Sequence, residues 1–249
     1  MNKSDLIAGR QPVLELLRAG GRLKKVVLAS GMTGTVIGEI EMLARDQGVM
    51  VEKKDRKSLD RLAPDLKHQG VVALGFEFRY TQLEDILSRA EKKGENPFLI
   101  LLDQIQDPQN LGAIIRTAEG AGAHGVVIPS RRSAQVTPAV FKASAGAVSY
   151  IPVALEKNLN NVVERLKKWG LWIFGTDAQG FQLYHEVDYR VPLALVLGSE
   201  GKGISRLLKE KCDYLVTIPM KGEVSSLNAS AAGAVLMYEV LRQRGESPF

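Results

Sequence analysis

The chain has 249 residues, of which 45% are hydrophobic and 24% charged, and its formal net charge is +5. This composition predicts one or two globular domains and excludes a disordered chain, a collagen-like chain and a small disulfide-stapled scaffold. The mild basic excess favours an anionic partner.

Residues 1–76 predict a small α/β domain. Leu6, Val13 and Leu17 lie at helical spacing and predict a helix that begins near Ser4. Short apolar strands are expected after it, at residues 25–29, 49–51 and 71–76.

A polar segment at residues 77–96 carries a helical pattern and a charged run, and is the best candidate for a linker to a second domain at 97–249. The strands of that domain are continuous apolar runs, which are typical of parallel strands buried on both faces. They lie at residues 98–102, 125–128, 171–174, 193–197 and 214–218. Because helical patterns separate most of them, we predict an α/β domain with helices on both faces of its sheet.

Ligands of open α/β sheets bind beyond the carboxyl ends of the strands, so the segments after the strands are candidate sites. After the first strand, Asn110 precedes a helical pattern that carries Arg116. Asn110 is equally suited to capping that helix, and Arg116 to an exposed position. Six residues at about 100° each place the two side chains about 120° apart. They converge only if Asn110 lies in the loop and Arg116 reaches towards it.

Two further segments follow strands. Residues 198–203, Gly-Ser-Glu-Gly-Lys-Gly, can present backbone N–H groups to a ligand but match neither the Walker A nor the G-x-G-x-x-G pattern. A plain glycine turn is the alternative. In the second segment, residues 218–230, extended backbone puts Ser226 and Asn228 on one side and Leu227 on the other. One side then meets a polar substrate and the other an apolar cofactor face. The alternative is that Ser226 and Asn228 only cap the helix that follows.

Other candidate chemistry is weak. The three histidines form no metal-binding motif, and no spacing supports a serine–histidine–aspartate triad. The single cysteine, Cys212, excludes an intramolecular disulfide, and its apolar context favours a structural thiol over a nucleophile. No signal-peptide core and no run of about 18 apolar residues is present. We therefore expect a soluble cytoplasmic protein that binds neither membrane nor metal.

The three segments after the strands, in this order, resemble the three motifs of the SpoU (TrmH-type) family. That family belongs to the SPOUT superfamily of knotted RNA methyltransferases. Residues 7–13 and 68–73 resemble the opening and the last strand of the family's small substrate-binding domain, whose fold is like that of a ribosomal protein. The resemblance therefore covers both predicted domains.

The resemblance implies a trefoil-knotted methyltransferase domain, S-adenosylmethionine as cofactor, a homodimer, and methylation of the ribose 2′-hydroxyl of a guanosine in 23S rRNA. Carried over by position, the cofactor-binding residues are Gly198, Ile218, Leu227, Thr176, Glu200 and Met220. The residues at the reacting end are Arg116, Asn110, Ser226 and Asn228. Basic residues of both domains are expected to contact the RNA: Arg10, Arg22, Lys24, Lys25, Arg131 and Arg132.

Two roles are open for Arg116. Family proposals make it the base that removes the 2′-hydroxyl proton, whereas an arginine that stays protonated can instead clamp a phosphate and stabilise developing alkoxide charge. Three other functions are also open. They are a tRNA or other rRNA 2′-O-methyltransferase of the same family, a non-catalytic RNA-binding ribosome-assembly factor, and a nucleotide-binding module, which the missing phosphate-binding patterns weaken.

Overall fold

The computed structural model describes residues 6–64, 66–178, 180 and 182–245. The chain divides into two compact units, one comprising Met1–Arg79 with Val136–Ser149 and the other Tyr80–Gln135 with Tyr150–Phe249. Among the described residues, no helix combines the length and the apolar character needed to cross a bilayer.

The first unit contains a four-stranded sheet in the order β1-β4-β2-β3. Its strands are β1 (Leu6–Ala8), β2 (Lys25–Ala29), β3 (Met50–Lys54) and β4 (Val71–Leu74), and its helices include α1 (Arg10–Arg18), α2 (Thr35–Asp46) and α3 (Arg56–Leu62). β2 and β3 are parallel, whereas β4 is antiparallel to both β1 and β2. Leu59 of α3 packs with Val27 and Val72 on one face of this sheet.

The helix predicted to begin near Ser4 is wrong in its first part. Leu6 belongs to β1 and pairs with Leu74 of β4, and α1 begins only at Arg10. Gly9 separates the two with a φ of 111°, which a right-handed helix cannot contain. Sheet pairing therefore overrides the helical spacing of Leu6. Ser4 itself lies outside the described residues.

The second unit contains a seven-stranded parallel sheet in the order β7-β6-β5-β10-β8-β11-β9, which confirms the predicted α/β fold. Its strands are β5 (Phe98–Asp103), β6 (Gly125–Pro129), β7 (Val153–Glu156), β8 (Trp172–Thr176), β9 (Gln182–Leu183), β10 (Leu193–Gly198) and β11 (Tyr214–Thr217). The helices of the chain after α3 are α4 (Leu83–Lys93), α5 (Pro108–Gly120), α6 (Pro138–Ala143, in the first unit), α7 (Leu159–Lys168), α8 (Arg206–Lys209) and α9 (Ala229–Arg244). The predicted trefoil knot stays a prediction.

The core of the second unit lies between the sheet and its helices. Ile86 of α4 and Val162 of α7 pack with Leu99, Val127 and Val196 of the strands. α5 and α9 contact each other. Residues 77–96, predicted as a linker, thus contain a helix that buries apolar side chains in this core, and the domain bounds 1–76 and 97–249 stay a prediction.

His124 ties the start of β5 to the turn before β6. Its Nδ1 accepts a hydrogen bond from the Phe98 N–H at 3.1 Å, and its Nε2 lies 3.0 Å from a Glu95 oxygen. Burial lowers the pKa of His124 below its usual 6.5, an effect that Glu95 only partly offsets. At a pH just below 6.5, His124 is therefore neutral in a larger fraction of folded chains than of unfolded chains.

We expect this difference to cost stability as the pH falls below 6.5, because the unfolded state then binds more protons. Urea midpoints measured between about pH 7.5 and pH 5.5 test this. His124→Asn keeps an acceptor for the Phe98 N–H but does not titrate, so its midpoint should fall less over this range. An equal fall in both proteins contradicts the prediction.

Candidate active site

A cavity of about 460 Å³ opens at the carboxyl ends of β8, β10 and β11. Parallel α/β sheets place ligand sites at these ends. All six residues predicted to bind the cofactor line it: Thr176, Gly198, Glu200, Ile218, Met220 and Leu227. Leu197, Val216 and Leu236 add further apolar surface. The structure thus brings residues from three strand ends together around one cavity.

The loop after β10 forms one wall of this cavity and has little room for change. The Gly203 N–H donates to the Ser199 carbonyl at 2.8 Å, and Gly201 and Gly203 have φ of 77° and 64°. A Cβ on Gly198 would lie 2.1 Å from the Gly203 carbonyl carbon and 2.3 Å from the Ile204 nitrogen. Gly198 is therefore required by the close return of the backbone rather than by its own φ.

Asp103 holds the end of this loop in place. It lies at the carboxyl end of β5, is 8% exposed, and its carboxylate accepts a hydrogen bond from the Ser205 N–H at 2.7 Å. The sequence interpretation missed this residue, although an acidic side chain that ends an otherwise apolar strand is a signal that can be read.

Three polar side chains meet beside the cavity, which Glu200 lines and to which Asn110 and Asn228 are joined through Glu200. A single Glu200 carboxylate oxygen accepts hydrogen bonds from the amide groups of Asn110, at 3.0 Å, and Asn228, and the Asn228 amide also donates to the Asn110 carbonyl oxygen at 3.0 Å. Ser226 lines the cavity. We call Asn110, Glu200 and Asn228 the polar triad. Segments more than a hundred residues apart in the chain thus meet here.

Helix capping, the alternative role for Asn110 and Asn228, applies to only one of these two residues. Asp107, not Asn110, caps α5, since its carboxylate accepts from the Gln109 N–H at 3.1 Å. Asn228 does cap α9 through its carbonyl oxygen, which accepts from the Ser230 N–H at 2.9 Å. Its amide group remains available to the polar triad, so capping and site formation use opposite ends of one side chain.

Arg116 is the predicted site residue that neither lines the cavity nor joins the polar triad. It lies on the exposed face of α5, six residues and about 9 Å along the helix axis from Asn110. It is not among the cavity-lining residues, and it forms no recorded hydrogen bond or ion pair with another residue in the described part of the chain.

The cavity also contains charged residues that the sequence interpretation missed. Asp177, directly after β8, forms an ion pair with Lys209 of α8 at 2.5 Å, and Lys202 lies in the loop after β10. The position of Asp177 after a strand was a usable signal, whereas its pairing with Lys209 depends on the fold. Among the described residues, no group of three or more histidine, cysteine, aspartate or glutamate side chains is placed to hold a metal.

Cys212 is half-buried, and its thiol donates to the Leu208 carbonyl at 3.3 Å. Burial, assisted by the neighbouring Asp213 carboxylate, raises the pKa of the Cys212 thiol to about 12. This pKa is three units above the ordinary value of 9.0. At pH 8 the folded protein therefore contains about a thousandfold less Cys212 thiolate than a protein with an unperturbed thiol.

We expect native protein at pH 8 to react with iodoacetamide about a thousandfold more slowly than urea-unfolded protein, because the thiolate is the reactive form. Mass spectrometry over time measures both rates. Comparable rates in the native and unfolded protein contradict a structural thiol.

Two protein-family models match the chain. The SpoU rRNA methylase model covers residues 97–238, more than half of the chain, and includes every residue of the cavity and the polar triad. The chain belongs to the SpoU rRNA methylase family. The model for RNA 2′-O ribose methyltransferase substrate binding covers residues 6–81 of this SpoU methylase.

Relatives match this SpoU methylase over nearly its whole length. YacO of Bacillus subtilis, provisionally named a TrmH family tRNA/rRNA methyltransferase, is 45% identical over 96% of both chains. A protein of Staphylococcus aureus strain MSSA476 with the same provisional family name is 41% identical over 97% of both chains.

Solved structures give the same result. The SpoU methyltransferase AviRb from Streptomyces viridochromogenes, in complex with the cofactor AdoMet, has a TM-score of 0.77 at 26% identity, covering 97% of this chain and 91% of its own. An AdoMet-bound rRNA methyltransferase from Sinorhizobium meliloti has a TM-score of 0.75 at 27% identity, covering 96% and 87%. This SpoU methylase is therefore an RNA 2′-O-methyltransferase, as the family resemblance implied.

Proposed function

We propose that the chain transfers the methyl group of S-adenosylmethionine to the ribose 2′-hydroxyl of a guanosine in 23S rRNA. The observation that carries this proposal is that the second and third SpoU segments line one cavity, and that Asn110 of the first segment hydrogen-bonds Glu200 of the second at this cavity. The cofactor seen in AviRb supports S-adenosylmethionine as the ligand.

The cavity suits this cofactor chemically. Leu197, Ile218 and Leu236 offer an apolar surface for an adenine ring, and the backbone of the glycine-rich loop offers polar groups to its edge. Ser226 and Glu200 provide a polar region for the reacting end. When bound, S-adenosylmethionine supplies an already activated sulfonium methyl group, so the cofactor contributes the difficult chemistry.

The protein must hold the acceptor 2′-oxygen in line with the methyl group and promote loss of its proton. The triad amides and the Ser226 hydroxyl are suited to orienting the ribose, since amide and hydroxyl groups both donate and accept hydrogen bonds. Arg116 acts either as the base or as a phosphate clamp that stabilises alkoxide charge. Because Arg116 is exposed on α5, we expect it to engage the RNA rather than the cofactor.

Glu200→Ala should lower kcat/KM by about 10- to 100-fold, because two amide groups then lose their shared acceptor at the cavity. Methyl transfer from labelled S-adenosylmethionine measures the change. Glu223→Ala is the matched control, since it removes an exposed glutamate from residues 218–228 that forms no recorded ion pair with another described residue. Equal activity of the two variants contradicts the role given to Glu200.

The choice of RNA is tested by supplying separate substrates. We expect labelled methyl groups to enter a 23S rRNA transcript and not bulk tRNA. Names of relatives that include both tRNA and rRNA favour tRNA as the second candidate substrate. Incorporation into tRNA alone contradicts the assignment of 23S rRNA as the substrate but agrees with an RNA 2′-O-methyltransferase.

We also propose that the chain is a cytoplasmic homodimer, as the family resemblance implies. Tyr238 of α9 is 53% exposed, and large aromatic side chains are enriched at protein interfaces. Sedimentation of the purified chain tests the proposal, with twice the chain mass expected and the chain mass contradicting it.

A further inference from the structure

The sheet of the first unit presents two ends that differ in charge. At one end lie the carboxyl ends of β1, β2 and β3 and the start of β4, as the pairs Ala8 with Val72, Leu28 with Val71 and Ala29 with Lys54 show. We call this end the carboxyl edge. It comprises residues 9–10, 30–34, 55–57 and 66–70, which directly follow or precede these strands.

Basic side chains at the carboxyl edge are free to meet an anionic partner. Arg10, Arg56, Lys57 and Lys67 are all exposed, and none forms an ion pair with another residue in the described ranges. The nearby carboxylates form hydrogen bonds rather than ion pairs with these four residues, because Asp55 caps α3 and Asp60 bonds His68. Within the residues that define the edge, these four basic side chains outnumber the single acidic one, Asp55, so the edge has a net positive charge.

Several residues at the other end of the sheet are neutralised instead. Lys24 forms an ion pair with Glu77 at 2.9 Å, and Lys25 forms one with Glu52 at 2.7 Å. The basic residues of this unit that are expected to contact RNA thus divide between the two ends of its sheet. Only Arg10 of those in this unit lies at the carboxyl edge.

The turn before β4 is held rigidly at this edge. The Gly70 N–H donates to His68 Nδ1 at 3.0 Å, so the other ring nitrogen, Nε2, carries the proton and donates to Asp60 at 2.8 Å. Arg10 Nε donates to the Gln69 carbonyl at 3.2 Å. Gly70 has a φ of 82°, in the left-handed region, and a Cβ there would also lie 2.2 Å from Met32 Sδ, so this position favours glycine.

These contacts hold Gln69 in an uncommon backbone conformation. Its φ is 50°, in the left-handed region that glycine favours, and its side chain is exposed. Strained backbone that surrounding contacts maintain is typical of functional positions. An exposed amide side chain can hydrogen-bond the edge of an unpaired base, which is how loops of RNA are read.

We propose that the carboxyl edge binds the phosphate backbone of the RNA substrate through Arg10, Arg56, Lys57 and Lys67, and that Gln69 contacts an unpaired base. The inference rests on the proposed function, which supplies the RNA, and adds the surface of the first unit that binds it. The phosphate contacts position the RNA, and the Gln69 contact adds a preference for particular bases at one position.

The test uses the full chain and a 23S rRNA transcript in binding titrations at several salt concentrations. Arg10→Ala/Lys67→Ala and Arg56→Ala/Lys57→Ala should each lower affinity on the order of tenfold and reduce the salt slope by about 1 to 2. Arg45→Ala/Arg79→Ala removes the same charge from exposed residues of the first unit outside the carboxyl edge and should leave affinity within about twofold. The second double variant breaks no recorded side-chain hydrogen bond, so it separates lost contacts from misfolding.

Gln69→Gly retains the backbone conformation and should weaken binding of the 23S transcript without changing binding of poly(U). The affinity for S-adenosylmethionine and kcat at saturating RNA should stay unchanged in all these variants. The inference is overturned if the carboxyl-edge variants bind RNA like the unaltered chain, if the Arg45→Ala/Arg79→Ala control loses as much affinity, or if the unaltered chain binds no RNA. RNA binding without methylation contradicts the proposed function instead. In that case the RNA affinities of the carboxyl-edge variants, compared with those of the control and the unaltered chain, still decide this inference.

Discussion

Arg116→Ala is expected to lower kcat by roughly 10²- to 10³-fold, the usual effect of removing one group that stabilises charge in a transition state. The affinity for S-adenosylmethionine should change by less than about twofold, because Arg116 does not line the cavity. Single-turnover methyl transfer and titration calorimetry measure the two quantities on the same preparation.

Arg116→Lys distinguishes the two roles left open for this residue. A lysine keeps the charge but not the planar fork, so a clamp should retain part of the activity and show a similar pH profile. A base should give a pH dependence that shifts with the side chain, since lysine and arginine differ in pKa. Near-normal methylation by Arg116→Ala contradicts both roles.

Gly198→Ala is expected to weaken binding of S-adenosylmethionine on the order of 10- to 100-fold. The added methyl group would lie 2.1 Å from the Gly203 carbonyl carbon, so the loop that lines the cavity must move. Overpacking of this kind costs about 1–3 kcal/mol, and each 1.4 kcal/mol is tenfold in affinity. Titration calorimetry measures the loss directly.

Gly222→Ala is the matched control, because it adds the same methyl group to residues 218–228, where nothing lies within 4 Å of it. Its affinity for the cofactor should stay within about twofold of the unaltered chain. Thermal unfolding of both variants reports whether the chain is folded. Normal cofactor binding by folded Gly198→Ala contradicts the cavity as the cofactor site.

Central strands of the second unit could be predicted because they are buried on both faces and are therefore apolar throughout. Leu99 and Leu101 face the core cluster, and the intervening residues are buried as well. β9 could not be predicted in this way, since it has only two residues and exists through its pairing with β11. Leu6 was wrongly predicted to be helical. Its spacing to Val13 and Leu17 fits a helix by chance, whereas the residue lies in the edge strand β1.

The candidate site was predictable in its segments but not in its contacts. Glu200 was expected to bind cofactor, yet its hydrogen bonds join two asparagines from distant parts of the chain. Such pairings depend on which strands are neighbours, and the order of the sheet does not follow the order of the chain. The position of Arg116 away from the cavity follows from helical phase, which the 120° estimate had indicated.

Transfer of a methyl group to a ribose 2′-oxygen can be detected by nucleoside mass spectrometry. The purified chain is incubated with S-adenosylmethionine and a 23S rRNA transcript, which is then digested and mapped. We expect one new 2′-O-methylguanosine that is absent without the protein and absent with Arg116→Ala. Methylation on a base, or no methylation of any RNA supplied, would contradict it.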